Sequence, residues 1–363
     1  MAPERPLGVA CLGLGRLGML HARTLAALPA VRLLAVCDVD PARAAEAATG
    51  AREARPTADP LEALSTPGVE AVVIATTTDS HADLVTEAAS RGLQVFCEKP
   101  LALTLADARR AEESARVAGV LLQVGFMRRL DAGYRAAREA IVRGDIGRPL
   151  LFQSQSLDQG VSDSERFLAT CGGLLVDVGL HDFDLAEWLM GRSVTEVDAR
   201  GEILVHHQLA RYGDVDNAVV TLRFERGGLG AVVLSHTASY GYDVTTTVIG
   251  ESGAVRAGAL AAEDMWRMAP QGAARRSFGH FLERFGPAYR AELDLFGRLA
   301  RERRDGTPSE DTCPGGREGV RALEIALAAR RSLERGQPEA VARVASPAAA
   351  RTDTDHGGMA TDA

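Results

Sequence analysis

From residue 7 to about residue 125, short apolar runs alternate with alanine-rich amphipathic stretches. Runs of that kind read as strands buried on both faces, and the stretches between them as the covering helices, so the pattern predicts a parallel α/β sheet. The expected strands are 7–12, 32–37, 71–75, 94–97 and 120–124, with helices at 80–90 and 105–118. Thr104 and Asp107 have the spacing of a capping box at the start of the second helix. Beyond Gly125 the pattern changes. Longer runs rich in valine, threonine and leucine between about 150 and 256, including 217–224, 229–239 and 244–249, predict an open, mainly antiparallel sheet. Gly227 and Gly228 mark a hairpin turn within it. Helices are expected at 180–190, 279–301 and 317–335, the last stopped by Gly336 and Pro338. Residues 342–363 show no apolar period and read as a disordered tail.

Composition narrows the classes. The 363 residues suggest two domains. With 41 basic and 49 acidic side chains the net charge is −8 and the pI about 5.6. That balance argues against a nucleic-acid partner, which would require basic stripes that displace counterions. No apolar run approaches the roughly 18 residues that cross a bilayer, so no membrane partner is expected. Cys11, Cys37, Cys97, Cys171 and Cys313 are scattered and show no paired spacing, and read as reduced core residues of a cytoplasmic protein. No metal-ligand spacing is visible. Of the basic residues 40 are arginine, and Lys99 is the single lysine.

The candidate chemistry begins at Gly13-Leu14-Gly15-Arg16-Leu17-Gly18, directly after the first expected strand. The first glycine permits a tight turn, the second admits a pyrophosphate, and the third packs helix on strand. Asp38 lies 20 residues after Gly18 at the end of the second strand. A carboxylate there accepts from ribose hydroxyls and repels a 2′-phosphate, favouring NAD over NADP. Its alternative role is the cap of the helix after Pro41, a task Asp40 could share. Thr76, Thr77, Thr78 and His81 follow a strand at its carboxyl end, where open α/β sheets bind ligands, and His81 reads equally as a plain first-turn residue. The next strand ends in Cys97-Glu98-Lys99-Pro100. A lysine in a cleft can tune its proton affinity as arginine cannot. Asp177 and His181, four residues apart, share a face on a helix, so the carboxylate could orient the imidazole as a base. The same spacing fits a helix cap beside a satisfied core histidine.

Taken together, the stretches G-L-G-R-L-G-M-L-H, A-V-C-D-V-D, C-E-K-P-L-A, V-G-F-M-R-R-L-D-A-G-Y, G-G-L-L-V-D-V-G-L-H-D-F-D, Y-G-Y-D and E-R-F-G-P-A-Y-R-A-E-L resemble the Gfo/Idh/MocA oxidoreductase family, and within it the inositol dehydrogenases. They run in the family's order over residues 8–338. The resemblance implies a Rossmann NAD-binding domain over 1–125 and an open-sheet α/β domain over 126–341 for substrate binding and oligomerisation. It implies Lys99, Asp177 and His181 as catalytic residues: His181 takes the hydroxyl proton, Asp177 orients His181, and Lys99 hydrogen-bonds the reacting oxygen. The implied cofactor contacts are Gly13, Gly15, Arg16, Leu17, Gly18, Asp38, Thr76, Thr77, Thr78, His81, Glu98 and Lys99. Met127, Arg128, Asp184 and Tyr242 join the catalytic three at the implied polyol pocket.

One stretch departs from the pattern. Leu157-Asp158-Gln159 stands where inositol dehydrogenases read R-D-P or R-N-P, which leaves the ring accepted open. The expectation is an NAD-dependent oxidation of a cyclitol hydroxyl. A pyranose sugar dehydrogenase or ketoreductase is the runner-up, and a non-catalytic NAD-binding regulator the reading from another class. A sheet with one uncovered face further implies a homodimer or homotetramer.

Overall fold

The computed structural model describes residues 5–262, 264–306 and 312–342. Residues 343–363 of the expected tail lie outside them. Six parallel strands build the first sheet: β1 Leu7–Leu12, β2 Val31–Cys37, β3 Arg55–Thr57, β4 Ala71–Ile74, β5 Gln94–Cys97 and β6 Leu122–Val124, in the spatial order β3-β2-β1-β4-β5-β6. Every residue of β1 and β4 is buried, as continuous apolar runs in a doubly covered sheet require. The reversal of order beside β1 creates the switch point at which such sheets bind dinucleotides. The edge strand β3 was invisible to the apolar pattern because Arg55-Pro56-Thr57 carries no apolar alternation.

The covering helices are α1 Arg16–Ala27, α2 Pro41–Thr49, α3 Pro60–Leu64, α4 His81–Ser90 and α5 Leu105–Ala118. Thr104 caps α5, accepting from the Asp107 N–H at 3.1 Å. Helix α6, Ala132–Arg143, leads into the second sheet. That sheet has seven strands: β7 Pro149–Leu157, β8 Val194–Glu202, β9 Asn217–Phe224, β10 Leu229–Ser235, β11 Asp243–Gly250, β12 Ala254–Ala259 and the C-terminal Glu339–Ala340. Their order is β12-β11-β7-β10-β9-β8 with Glu339–Ala340 at the β8 edge. All pairs are antiparallel except β7 with β10. The expected hairpin joins β9 to β10 through Gly227 and Gly228. A separate exposed hairpin pairs Arg267–Ala269 with Gly272–Ala274.

Strand β9 alternates buried and exposed positions along its length, the mark of a sheet with one covered face. The short α7 Glu165–Thr170 leads into α8 Leu174–Asp177 and α9 Gly179–Met190, which pack on the covered face, while Val219, Leu229, Val233 and Ile249 stay exposed. The long helix α10, Phe281–Arg304, returns to the first sheet, and α11, Gly316–Arg335, lies mainly against β8 of the second sheet and against α9 and α5. Leu293, Phe296 and Ala300 of α10 share one core with Leu7, Val9 and Phe96, and the Val124 N–H donates to the Pro314 carbonyl at 2.8 Å. No helix among the described residues is long and apolar enough to cross a membrane.

Candidate active site

The glycine-rich loop turns between β1 and α1. Gly13 has a φ of +82°, and a Cβ there would lie 2.5 Å from the Ala75 and Thr76 backbone, so no other residue fits. A Cβ on Gly18 would lie 1.8 Å from the Gly13 carbonyl, which is the helix-on-strand packing expected of the third glycine. Gly15 differs, since a Cβ there would meet nothing within 4 Å, and no side chain caps α1. The first-turn N–H groups at Arg16, Leu17 and Gly18 therefore carry their partial positive charge without a side-chain acceptor. This cradle fits a pyrophosphate. The Arg16 guanidinium lies over the Phe281 ring at 4.8 Å.

Asp38 is buried beside the loop. Its Oδ2 accepts from the Leu14 N–H at 2.7 Å and its Oδ1 from the Asp40 N–H at 2.9 Å. Asp40, not Asp38, caps α2. Carboxylate oxygens accept more than one bond each, so Asp38 keeps capacity for a ribose hydroxyl. Thr76 bonds the hydroxyl of Ser80 at 2.7 Å, and Thr78 opens the short turn Thr78–Ser80. The His81 ring is buried, with Nδ1 2.8 Å from the Pro100 carbonyl and Nε2 3.2 Å from the Thr76 carbonyl. A neutral imidazole has one N–H to give, so His81 donates to one of these two carbonyls and ties its helix to that loop. Glu98 is likewise buried and turned inward, onto His21 and the Lys99 N–H.

Lys99 leaves the carboxyl end of β5 and crosses to the second sheet's helices. Its Nζ donates to the Asp177 carboxylate at 2.8 Å and to the Asp177 carbonyl at 2.6 Å. Asp214, which sequence reading passed over, fixes this partner by accepting from the Leu174 N–H at 2.9 Å and so anchoring the start of α8. The expected bond from Asp177 to His181 is not among the hydrogen bonds of the described residues. The carboxylate serves the ammonium instead, because a charge-assisted bond to lysine outweighs one to a neutral imidazole. His181 is buried, edge-on to Phe126 at 6.0 Å, with Nδ1 unpartnered. Burial first, then the positive charges of Arg128 and Lys99, hold its pKa well below the ordinary 6.5. Its resting form is the neutral imidazole, as a proton acceptor requires.

Met127 and Tyr242 are buried near this centre, Tyr242 edge-on to Phe285 at 6.3 Å. Arg128 is held rigidly, with Nη1 bonded to Ser156 at 2.9 Å and to Asp182 at 3.1 Å. Asp182 is fully buried and also accepts from the Ser154 and Ser156 hydroxyls. Nothing in D-F-D distinguishes its two aspartates by sequence, and the fold separates them. Asp184, the one expected at the substrate, is clamped by Arg129 at 2.6 and 2.8 Å and lines a cavity of about 240 Å³ with Arg138 and Trp188. Asp158 is half-buried, with the charges of Asp177, His236 and Arg16 acting on it; burial raises its pKa.

A pyrophosphate cradle at the switch point, with a lysine and a neutral histidine at the strand ends beyond it, defines an NAD-binding oxidoreductase of the Rossmann type. The chain belongs to the Gfo/Idh/MocA family: residues 7–126 match the oxidoreductase family's NAD-binding Rossmann fold, and residues 134–256 match the GFO/IDH/MocA C-terminal domain. It is similar to scyllo-inositol 2-dehydrogenase (NAD(+)) of Bacillus subtilis, 36% identical over 336 residues, covering 92% of this chain and 96% of the relative. It is also similar to myo-inositol 2-dehydrogenase of Thermotoga maritima, 36% identical over 327 residues, covering 90% and 96%. Among solved structures, scyllo-inositol dehydrogenase of Lactobacillus casei with bound NAD(H) and scyllo-inositol superposes with a TM-score of 0.85 at 26% identity, covering 93% of this chain and 99% of that one.

Proposed function

We propose that the protein oxidises a secondary hydroxyl of myo-inositol or a related cyclitol to the inosose with NAD. The observation that carries this reading is the buried, neutral His181 beside a lysine held by Asp177. His181 takes the hydroxyl proton on a ring nitrogen. An ammonium has three donors, and two of those on Lys99 already point at Asp177, so the third is left for the reacting oxygen. That bond strengthens as the oxygen gains negative charge. Asp177 positions Lys99. NAD, when bound, supplies the hydride acceptor.

Residues 1–125 are proposed as the NAD-binding domain and 126–341 as the domain for polyol binding and oligomerisation. The exposed Val219, Leu229, Val233 and Ile249 on the uncovered sheet face support a homodimer or homotetramer. The five free cysteines support a cytoplasmic setting. The test is turnover of inositol isomers and common aldoses with NAD and NADP in parallel. Cyclitols should be preferred with NAD. Preference for an aldose would favour the pyranose reading, which the altered Leu157-Asp158-Gln159 stretch also admits. NAD binding without turnover would favour a regulator.

Two further results are expected. Asp38→Ser should reduce the NAD over NADP preference in kcat/KM by about tenfold or more, since like charges brought together cost several kcal/mol. An unchanged ratio would place cofactor selection elsewhere. The second concerns pH. His181 and His81 are both held below 6.5, chiefly by burial, so the unfolded chain binds more protons as pH falls through 6.5. Stability is therefore fully present above that value and lost on acidification. Tm should fall from pH 7.5 to pH 5, and the fall should be smaller in His181→Gln, which cannot titrate there.

A further inference from the structure

Helix α10 crosses the first sheet and brings Glu292 against His21 of α1 and Glu98 of the β5 end. All three side chains are buried, and their ligand atoms lie within 4.8 Å of one another. Glu98 is the hub. Its Oε1 lies 2.6 Å from His21 Nε2, and its Oε2 accepts from the Lys99 N–H at 3.2 Å. The His21 ring is held edge-on by Phe96 at 5.6 Å and Tyr289 at 5.9 Å. Glu292 reaches the cluster because Gln123 of β6 donates to its backbone carbonyl at 3.0 Å, yet neither of its carboxyl oxygens has a partner. His81, Cys97 and Tyr289 are the other titratable groups acted on by the Glu98 charge, and Tyr289 faces Glu292 as well.

Two ionised carboxylates this close in a dry interior repel strongly, so the pair retains a proton. Glu98 has two donors and Glu292 none, which puts the negative charge on Glu98. Burial and the Glu98 charge push the Glu292 pKa up, in the same direction. A neutral Glu292 leaves the His21 bond to Glu98 uncontested. The charged Glu98 then makes a charge-assisted bond to the peptide N–H of Lys99. The ammonium that meets Asp177 is thus fixed at its backbone by a group on the far side of the strand.

We propose that His21, Glu98 and Glu292 form a buried polar cluster whose task is to position Lys99. This rests on the dehydrogenase reading for its purpose and on the geometry alone for its existence. Lys99 is the only lysine in the chain, so protein labelled with 13Cε-lysine gives one lysine signal, readable without substrate. Glu98→Gln should move that signal, and Glu292→Gln, which mimics the neutral acid, should leave it in place. With an accepted polyol, Glu98→Gln should lower kcat about tenfold or more, with KM for NAD within about twofold and partial recovery in Glu98→Asp. In a Lys99→Ala background it should cost nothing further. Should Glu98→Gln not fold, His21→Asn is read by the same signal. An unmoved signal, additive losses with Lys99→Ala, or one equivalent of divalent metal per chain by elemental analysis would overturn the proposal. If no cyclitol or sugar is turned over, the functional reading fails while the lysine signal still decides the cluster.

Discussion

Replacing His181 with glutamine should lower kcat by about 10²–10⁴-fold, the usual contribution of a positioned general base. Glutamine keeps the approximate volume and a polar end but cannot accept a proton. The imidazole is suited to the task for three reasons that act together. Burial beside Arg128 and Lys99 keeps it neutral, Phe126 fixes the ring, and its Nδ1 is bonded to nothing else. The loss should appear in kcat, with the Kd for NAD, followed by fluorescence titration, changed by less than about twofold, because the glycine cradle is formed by other elements. A loss under tenfold would move the base to another residue, with Asp158 the nearest alternative by its raised pKa.

The second large effect is on stability. Asp182→Asn removes the counter-charge of Arg128 while keeping the hydrogen-bonding outline. Arg128 and Asp182 are 2% and 0% exposed at their side chains, so the guanidinium left behind has no access to water. Breaking such a pair from one side costs about 3–5 kcal/mol. Thermal denaturation should show a Tm lower by an amount on the order of 10 °C. Replacing both partners with apolar residues, Arg128→Met with Asp182→Leu, should recover much of the loss, since the cost lies in an unpaired charge and not in a missing contact. A double variant as unstable as Asp182→Asn would show that Ser154 and Ser156 depend on the carboxylate for their own packing.

The parts legible in the sequence were those whose physics is local. The strand run at Leu7–Leu12, the Gly13 turn and the Thr104 cap are each set by neighbouring residues. Lys99 stood out because one residue type among 41 basic positions was different. What remained hidden depends on contacts across long stretches of chain. Asp177 meets Lys99 across 78 residues, and Gln123 meets Glu292 across 169. The spacing of Asp177 and His181 predicted one shared helical face, but the helix breaks at Val178, with Asp177 ending α8 and His181 on α9, and spacing cannot say which cation a carboxylate will choose. Asp182 and Asp184 sit two positions apart on α9, about 200° around its axis, and only the arginines waiting on each side tell them apart.

The return of α10 to the first sheet also sets a schedule for the newborn chain. The six strands of that sheet are complete at Val124, but Leu293, Phe296 and Ala300, which close one side of its core, follow more than about 150 residues later. At a synthesis rate of about 5–20 residues per second, the interval is on the order of 10–30 s. Throughout it Leu7, Val9 and Phe96 lack their final cover, and the ribosome-bound chain offers a chaperone an apolar surface that the finished protein does not have.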